Sequence, residues 1–186
     1  MSKKLINIAI IFTGYCQRGS SFANSRDVSI VQARDFDSNF TNLQLARISS
    51  KYASFLEEGD ILVKARGSRF EAKVFRGAAM PTAAVNTLLV VRLTDEAFLP
   101  EYVAQLINQS DSQKKLRLQS TGAVLSSLSP TILGSLDIKP IPLEEQQKIC
   151  NALNSVNEYI SLHKRYLELE EKLSQEIISN LVKGTK

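Results

Sequence analysis

The apolar and polar positions near the end of the chain predict one long helix. No proline or glycine occurs between Leu143 and Lys183. Glu144 and Glu145 fall in the first predicted turn, where carboxylates complement the positive end of the helix dipole. Pro140 and Pro142 precede this turn, and proline fixes φ and favours extended backbone before it. At ~1.5 Å per residue, about forty residues give a helix of roughly 60 Å.

The apolar residues of this helix form two rows. The first row alternates spacings of four and three, as in the seam of a coiled coil, and consists of Ile149, Leu153, Val156, Ile160, His163 and Leu167. The second row lies further round the helix and consists of Tyr159, Leu162, Tyr166, Leu169, Leu173 and Ile177. Two rows indicate more than one neighbour, or a seam that drifts along the helix.

We expect this helix to pair with another helix, on another chain. The alternative is a C-terminal helix that packs on its own domain. The residues expected at the interface with the partner helix are Ile149, Leu153, Val156, Ile160, Leu167, Leu173 and Ile177.

The first 142 residues predict mainly strands. Strands are indicated at Val28–Gln32, Glu71–Phe75, Asn86–Leu93 and Leu136–Ile138, and the segment Leu56–Gly67 contains a turn, a strand and a basic loop. The run Leu88–Val91 is the most clearly buried. A helix is predicted from Pro100 to about Leu116, and Ser129-Pro130 opens a short one. The segment Leu5–Phe12 fits helix or strand, and residues 38–55 show no clear preference. The pattern predicts an α+β fold, with a globular domain at 1–142 and a long coiled-coil-forming helix at 143–186.

Length and composition favour a soluble cytoplasmic protein. None of the 186 residues belongs to an apolar run near the ~18 residues that a membrane helix needs. The two cysteines, Cys16 and Cys150, lack CxxC spacing, so neither a disulfide framework nor a zinc site is indicated.

Positive charge is concentrated in the predicted globular domain. The net charge is +4; residues 143–186 hold six Lys or Arg and seven Asp or Glu, so residues 1–142 have a net charge of +5. A basic domain beside a near-neutral helix suits an anion-binding domain joined to a protein-binding helix. The alternative is that the basicity only favours solubility.

The sequence has few residues suited to catalysis. Its one histidine, His163, lies in the predicted helix, so the domain cannot form a Ser-His-Asp or Cys-His site alone. No glycine-rich phosphate-binding loop is present. We therefore expect no catalytic residues, no metal and no cofactor in this chain.

Basic loops are the remaining candidate site. The residues predicted to contact DNA bases and phosphates are Tyr15, Arg18, Arg66, Arg69, Arg76, Lys114, Lys115, Arg117 and Thr121. Arginine suits guanine edges, and both cations bind phosphates. Alternatively, Lys114, Lys115 and Arg117 neutralise a helix C-terminus, and Tyr15 packs in the domain.

Several segments, in order along the chain, resemble one family. They are Ile11–Tyr15, Gln32–Phe36, Glu58–Gly67, Thr121–Val124, and the run from Leu128-Ser129-Pro130 through Ile138–Ile149, which is the most specific. Together with the long helix they resemble one half of a type I restriction-modification specificity (S) subunit.

The resemblance implies an α+β target-recognition domain followed by a spacer helix, with no catalysis by the subunit itself. It implies binding to double-stranded DNA and to modification subunits. These partners methylate adenine N6 with S-adenosylmethionine, after the base leaves the stack, and restriction subunits can join the complex.

The chain departs from the family pattern because members usually contain two target domains and two spacer helices. We expect two copies to pair through antiparallel helices, so that a two-fold axis makes the two half-sites identical and inverted. The alternatives are pairing with a different half-subunit and a truncated relic. From other classes, the chain could be a protein-interaction adaptor without specific DNA recognition, or a nuclease or methyltransferase in its own right.

Overall fold

The structure of this chain, a computed structural model, describes residues 2–15, 25–49, 54–120 and 126–183. The chain divides into two compact units, Met1–Gln146 and Gln147–Lys186. The described strands are β1 (Lys3–Lys4), β2 (Ala9–Thr13), β3 (Ser25–Val31), β4 (Gln44–Ser49), β5 (Ile61–Lys64), β6 (Ala72–Val74), β7 (Thr82–Ala84), β8 (Leu88–Leu93) and β9 (Asp137–Ile138). The described α-helices are α1 (Pro100–Asn108), α2 (Ser110–Gln119), α3 (Pro130–Gly134) and α4 (Leu143–Lys183), and 3₁₀ turns occur at Leu5–Asn7 and Ala33–Phe36.

The described strands of the first unit form three sheets. The largest has the order β2-β8-β5-β6, is antiparallel throughout and places Leu62 opposite Val90. A second has the order β4-β3-β7, in which β3 and β7 run parallel. The third pairs β1 with β9. A β-rich α+β unit followed by a long C-terminal helix is the predicted fold class, which is confirmed.

The core lies around β8, which is flanked by β2 and β5. Every residue of Leu88–Val91 is at most 1% exposed, as a strand between two neighbours requires. Val31 and Phe36 pack in one cluster with Leu62, Phe75 and Val90. This cluster joins the second sheet to the first.

Gly14 permits a close approach between β2 and β7. A Cβ atom at this position would lie 2.2 Å from the Val85 carbonyl oxygen and 2.5 Å from that of Ala84. The next residue, Tyr15, forms a parallel bridge with Val85 and donates its N–H to the Ala84 oxygen. A side chain at Gly14 would therefore separate the two sheets.

A buried carboxylate connects β5, β8 and the turn before β5. Asp60 Oδ1 and Oδ2 accept hydrogen bonds from Arg92 Nε and Nη2 at 2.8 and 2.7 Å, and Oδ2 also accepts the Glu57 N–H. Arg92 Nη1 contacts the Glu57 carboxylate. The hydrogen bonding of Arg92 to Asp60 raises the pKa of Arg92, which stays charged. The turn residue Gly59 adopts a φ of +90°, which favours glycine.

The prediction of one helix from Pro100 to about Leu116 was wrong, because two helices occupy this segment. Gln109 is extended, with a ψ of 145°, and separates α1 from α2. Asn108 and Ser110 flank it, and such short polar side chains compete with the helical backbone for hydrogen bonds. Gln113 Nε2 donates to the Ile107 carbonyl oxygen, which satisfies one of the free carbonyls at the end of α1.

The start of α4 is fixed by Gln146. Its side chain is fully buried, accepts the Leu99 N–H, and donates to the carbonyl oxygens of Ala97 and Ile141. The prediction that a helix begins after Pro142 is confirmed. Ser129 caps the short helix α3, as its position before Pro130 predicts.

Candidate nucleic-acid interface

Three of the predicted cationic residues line one cleft. Arg69 belongs to the loop between β5 and β6, whereas Lys114 and Arg117 belong to α2. The cleft has a volume of about 260 Å³ and is lined by Ser68, Arg69, Asn108, Ser110, Gln113, Lys114 and Arg117. These seven residues are called the cationic cleft below.

Two amide side chains hold the loop against the helices. Asn108 accepts the N–H of Ala72 and donates to the oxygen of the same residue. Gln113 makes the same pair of hydrogen bonds with Phe70. Each amide thus bonds both the N–H and the carbonyl oxygen of one residue, as a neighbouring β-strand would. The main chain next to Arg69 is therefore fixed beside α1 and α2. Neither amide was predicted from the sequence, since nothing in the pattern distinguishes these two side chains from solvated helix residues.

The cations of the cleft are available to an anion. The side chains of Arg69, Lys114 and Arg117 are exposed, and within the described ranges none forms an ion pair or a side-chain hydrogen bond. Asn108 and Gln113 use their polar atoms on the protein backbone. The charged and hydroxyl groups therefore provide the donors that remain for a ligand.

Arg66 lies in the same loop, outside the cationic cleft. Its side chain is exposed, and its backbone forms an antiparallel bridge with Ser127. Gly67 follows with a φ of +118°, which favours glycine, and the chain bends there. The bridge and the bend give Arg66 a defined position on the surface.

The remaining predicted residues are not brought into the cleft. Arg76 forms an ion pair with Glu101 at 2.7 Å. Lys115 is exposed outside the cleft lining. Tyr15 is half-buried and packs against the apolar cluster of β3, β4 and β7, the alternative considered for it above. Arg18 and Thr121 lie outside the described residues.

Lys115 instead contributes to the charge around β9. The pKa of Asp137 is lowered, first by its hydrogen bond with Lys4, with smaller attractions to Lys4 and Lys115. Lys73 of β6 donates to the Phe36 carbonyl oxygen and to Asn39 Oδ1. Both lysines thus have roles within the unit.

The second unit exposes the apolar residues predicted for the partner helix. Of the first row, Leu153 is half-buried, whereas Ile149, Val156, Ile160 and Leu167 are exposed. Leu173 and Ile177 are also exposed, and Tyr159 and Leu162 of the second row reach 70% and 71% exposure. His163 stacks between Tyr159 and Tyr166 on the helix surface. Apart from Leu153, the residues of both rows are therefore uncovered in a single chain.

Within the part of the chain that the structure describes, no group of three or more His, Cys, Asp or Glu could hold a metal ion. No helix in the same residues is long and apolar enough to span a membrane. Cys150 is a buried free thiol, and Cys16 lies outside the described residues.

An α+β unit followed by one long helix defines the architectural class, and solved structures share it. The S subunit of a type I restriction-modification system from M. genitalium matches 100% of this chain with a TM-score of 0.61 and 13% identity. The HsdS subunit from Thermoanaerobacter tengcongensis matches 89% with a TM-score of 0.65 and 16% identity. A chain from a study of assembly and conformational transition in a type I system matches 94% with a TM-score of 0.67 and 15% identity.

The chain spans less than half of these three structures, 43–46% of their lengths. No protein-family model matches the sequence, and no curated protein matches it significantly. The resemblance predicted from the sequence segments is thus confirmed at the level of the fold. This chain has the fold of one half of a type I specificity subunit.

Proposed function

We propose that this chain is a half-length, non-catalytic DNA specificity subunit of a type I restriction-modification system. It recognises one half-site and positions the DNA for adenine-N6 methylation by partner modification subunits, which bind S-adenosylmethionine. The observation that supports this most is the match of nearly the whole chain to under half of each solved structure. Since it acts on DNA with these subunits, we propose that it is cytoplasmic.

We assign DNA contact to exposed basic residues of the first unit. Arg66, Arg69, Lys114 and Arg117 are exposed and without ion-pair partners in the described residues, which favours them over Arg76. Lys115, Tyr15, Arg18 and Thr121 remain predicted contacts. Sequence recognition then requires base contacts, whereas phosphate contacts position the duplex.

The proposal also includes self-pairing through α4. Two copies would cover the apolar rows that a single chain exposes and would present two identical, inverted half-sites. The helix would then fix the gap between half-sites. Restriction subunits can join such a complex, as they do in the family.

The test is to map N6-methyladenine across a genome in cells that express this chain with a matching modification subunit. We expect methylation of a two-part palindrome that disappears when this chain is omitted. Two unlike half-sites would contradict self-pairing and indicate a different half-subunit as partner. A soluble complex without methylation would contradict the specificity function and favour the adaptor or the relic.

A protein-interaction adaptor is the second candidate. The second row of α4 supports it, because Tyr159, Leu162 and Tyr166 offer aromatic and apolar area to a partner protein. The salt dependence of DNA affinity distinguishes the two functions, because binding through several DNA phosphates weakens steeply as salt is added.

A further inference from the structure

We infer that the cationic cleft binds a single phosphate of the DNA backbone and does not recognise sequence. This inference rests on the proposed function, because it takes DNA as the ligand. The three cations Arg69, Lys114 and Arg117 converge on one space of about 260 Å³. Three separate surface contacts would not require a shared cleft.

The chemistry of the lining suits a phosphate. Beside the cations, the lining offers the hydroxyls of Ser68 and Ser110, and all of these groups can donate to phosphate oxygens. No aromatic residue belongs to the described lining, so a base would lack aromatic stacking there.

The two amide side chains of the cleft are already engaged with the backbone. Asn108 Oδ1 and Gln113 Oε1 accept hydrogen bonds from Ala72 and Phe70, and their amide nitrogens donate to backbone oxygens. An adenine or cytosine amino group would therefore find each amide oxygen already accepting one hydrogen bond. An anion that only accepts hydrogen bonds meets no such obstacle.

The position of the cleft suits it to set the register of this chain along the DNA duplex. Its loop is fixed by two pairs of hydrogen bonds to α1 and α2, and Arg66 occupies the same loop three residues before Arg69. A phosphate held at Arg69 would set the distance between the duplex backbone and Arg66. The cleft thus anchors the duplex while other residues contact base edges.

The test compares the full chain with the triple variant Arg69→Gln, Lys114→Gln and Arg117→Gln. Affinity is measured over a range of salt concentrations for a duplex containing the mapped methylation motif and for a scrambled duplex. A control triple variant, Lys164→Gln, Arg165→Gln and Lys172→Gln, removes the same charge from α4. Thermal unfolding confirms that each variant is folded.

We expect the cleft variant to lose roughly tenfold or more in affinity for both duplexes alike. The slope of log K against log salt should become less steep by about 0.9, the value for one phosphate. A change near 2.7 would mean three separate phosphates and would overturn the inference. A loss confined to the motif duplex, or no loss, would overturn it as well, while the control should match the wild-type chain.

The two proposals fail in distinguishable ways. If the wild-type chain prefers the motif and the cleft variant is unchanged, the cleft inference fails and the specificity function stands. If the wild-type chain binds both duplexes equally and the cleft variant binds both more weakly, the cleft stands and the specificity function fails. Absence of DNA binding would overturn both.

Discussion

Arg92 contacts two carboxylates that differ in burial, and this difference sets what each contributes to stability. The Asp60 side chain is 1% exposed, whereas that of Glu57 is 67% exposed. A buried charge that loses its partner cannot recover hydration, but an exposed one exchanges its partner for water. One arginine therefore makes a strong and a weak pair.

Asp60→Asn should lower the free energy of unfolding by about 2–4 kcal/mol. The amide would present a donor to the Arg92 guanidinium, and the charge of Arg92 would lose its buried partner. Urea unfolding followed by circular dichroism measures the change.

Glu57→Gln is the matched control, because it removes the other carboxylate from the same arginine. It should cost less than about 1 kcal/mol, as exposed pairs do. Equal losses in the two variants would refute the assignment of stability to the buried pair.

At the residue scale, the segments that predicted the family are mainly structural. Gly14 permits two sheets to meet, and Asp60 joins β5 to β8. Asp35 accepts the Gln32 N–H at the start of a 3₁₀ turn, and Phe36 is fully buried. Such residues indicate the fold. The cationic cleft, in contrast, depends on the backbone contacts of Asn108 and Gln113, which are visible only in the folded chain.

At the scale of elements, Gln146 connects the first turn of α4 to the segment that begins α1. The Leu99 N–H that it accepts precedes α1 and lies 47 residues away in sequence. Its amide nitrogen also holds the Ala97 and Ile141 oxygens. One buried side chain therefore satisfies three backbone groups within the first unit.

Gln146→Ala should destabilise the first unit by about 2–3 kcal/mol, since it leaves those buried groups without partners. The adjacent Gln147→Ala is the control: Gln147 is exposed, and among the described residues its side chain bonds Asn151 on the same helix alone. A change within about 0.5 kcal/mol is therefore expected. Urea midpoints of the two variants are compared with wild type. Similar midpoints for both would contradict this role of Gln146.

Elements with a strong pattern were predictable, and those formed by distant contacts were not. The helix α4 and the buried strand β8 follow from their own residues. In contrast, β4 and β7 were not predicted, because the pairing of Ser29 with Leu45 on one side and Thr82 on the other makes them strands. The break at Gln109 likewise depends on Gln113 reaching back to Ile107.

At the scale of the whole molecule, charge and exposed apolar surface differ between the predicted globular domain and the long helix. Residues 1–142 have a net charge of +5, which attracts a polyanion, and residues 143–186 have a net charge of −1. The exposed apolar rows of α4 are suited to contact with another protein helix. The sequence predicted this division, but the identity of the partner helix depends on a second chain.

The proposed self-pairing through the first row would make the oligomeric state sensitive to two residues. Ile160 and Leu167 are 45% and 47% exposed and lie seven residues apart on one face of α4. The double variant Ile160→Glu and Leu167→Glu would place four carboxylates in the interface of a paired helix. Their desolvation cost should prevent pairing.

Wild type should sediment with about twice the 20.7 kDa mass of one chain, and the double variant with the mass of one. Ser161→Glu is the control, because Ser161 is exposed and lies about a third of a turn from Ile160, away from both rows; it should remain dimeric. The monomeric variant should also lose the affinity gained when two linked half-sites bind together. A double variant that stays dimeric would exclude this row as the pairing surface, and a monomeric wild type would exclude self-pairing altogether.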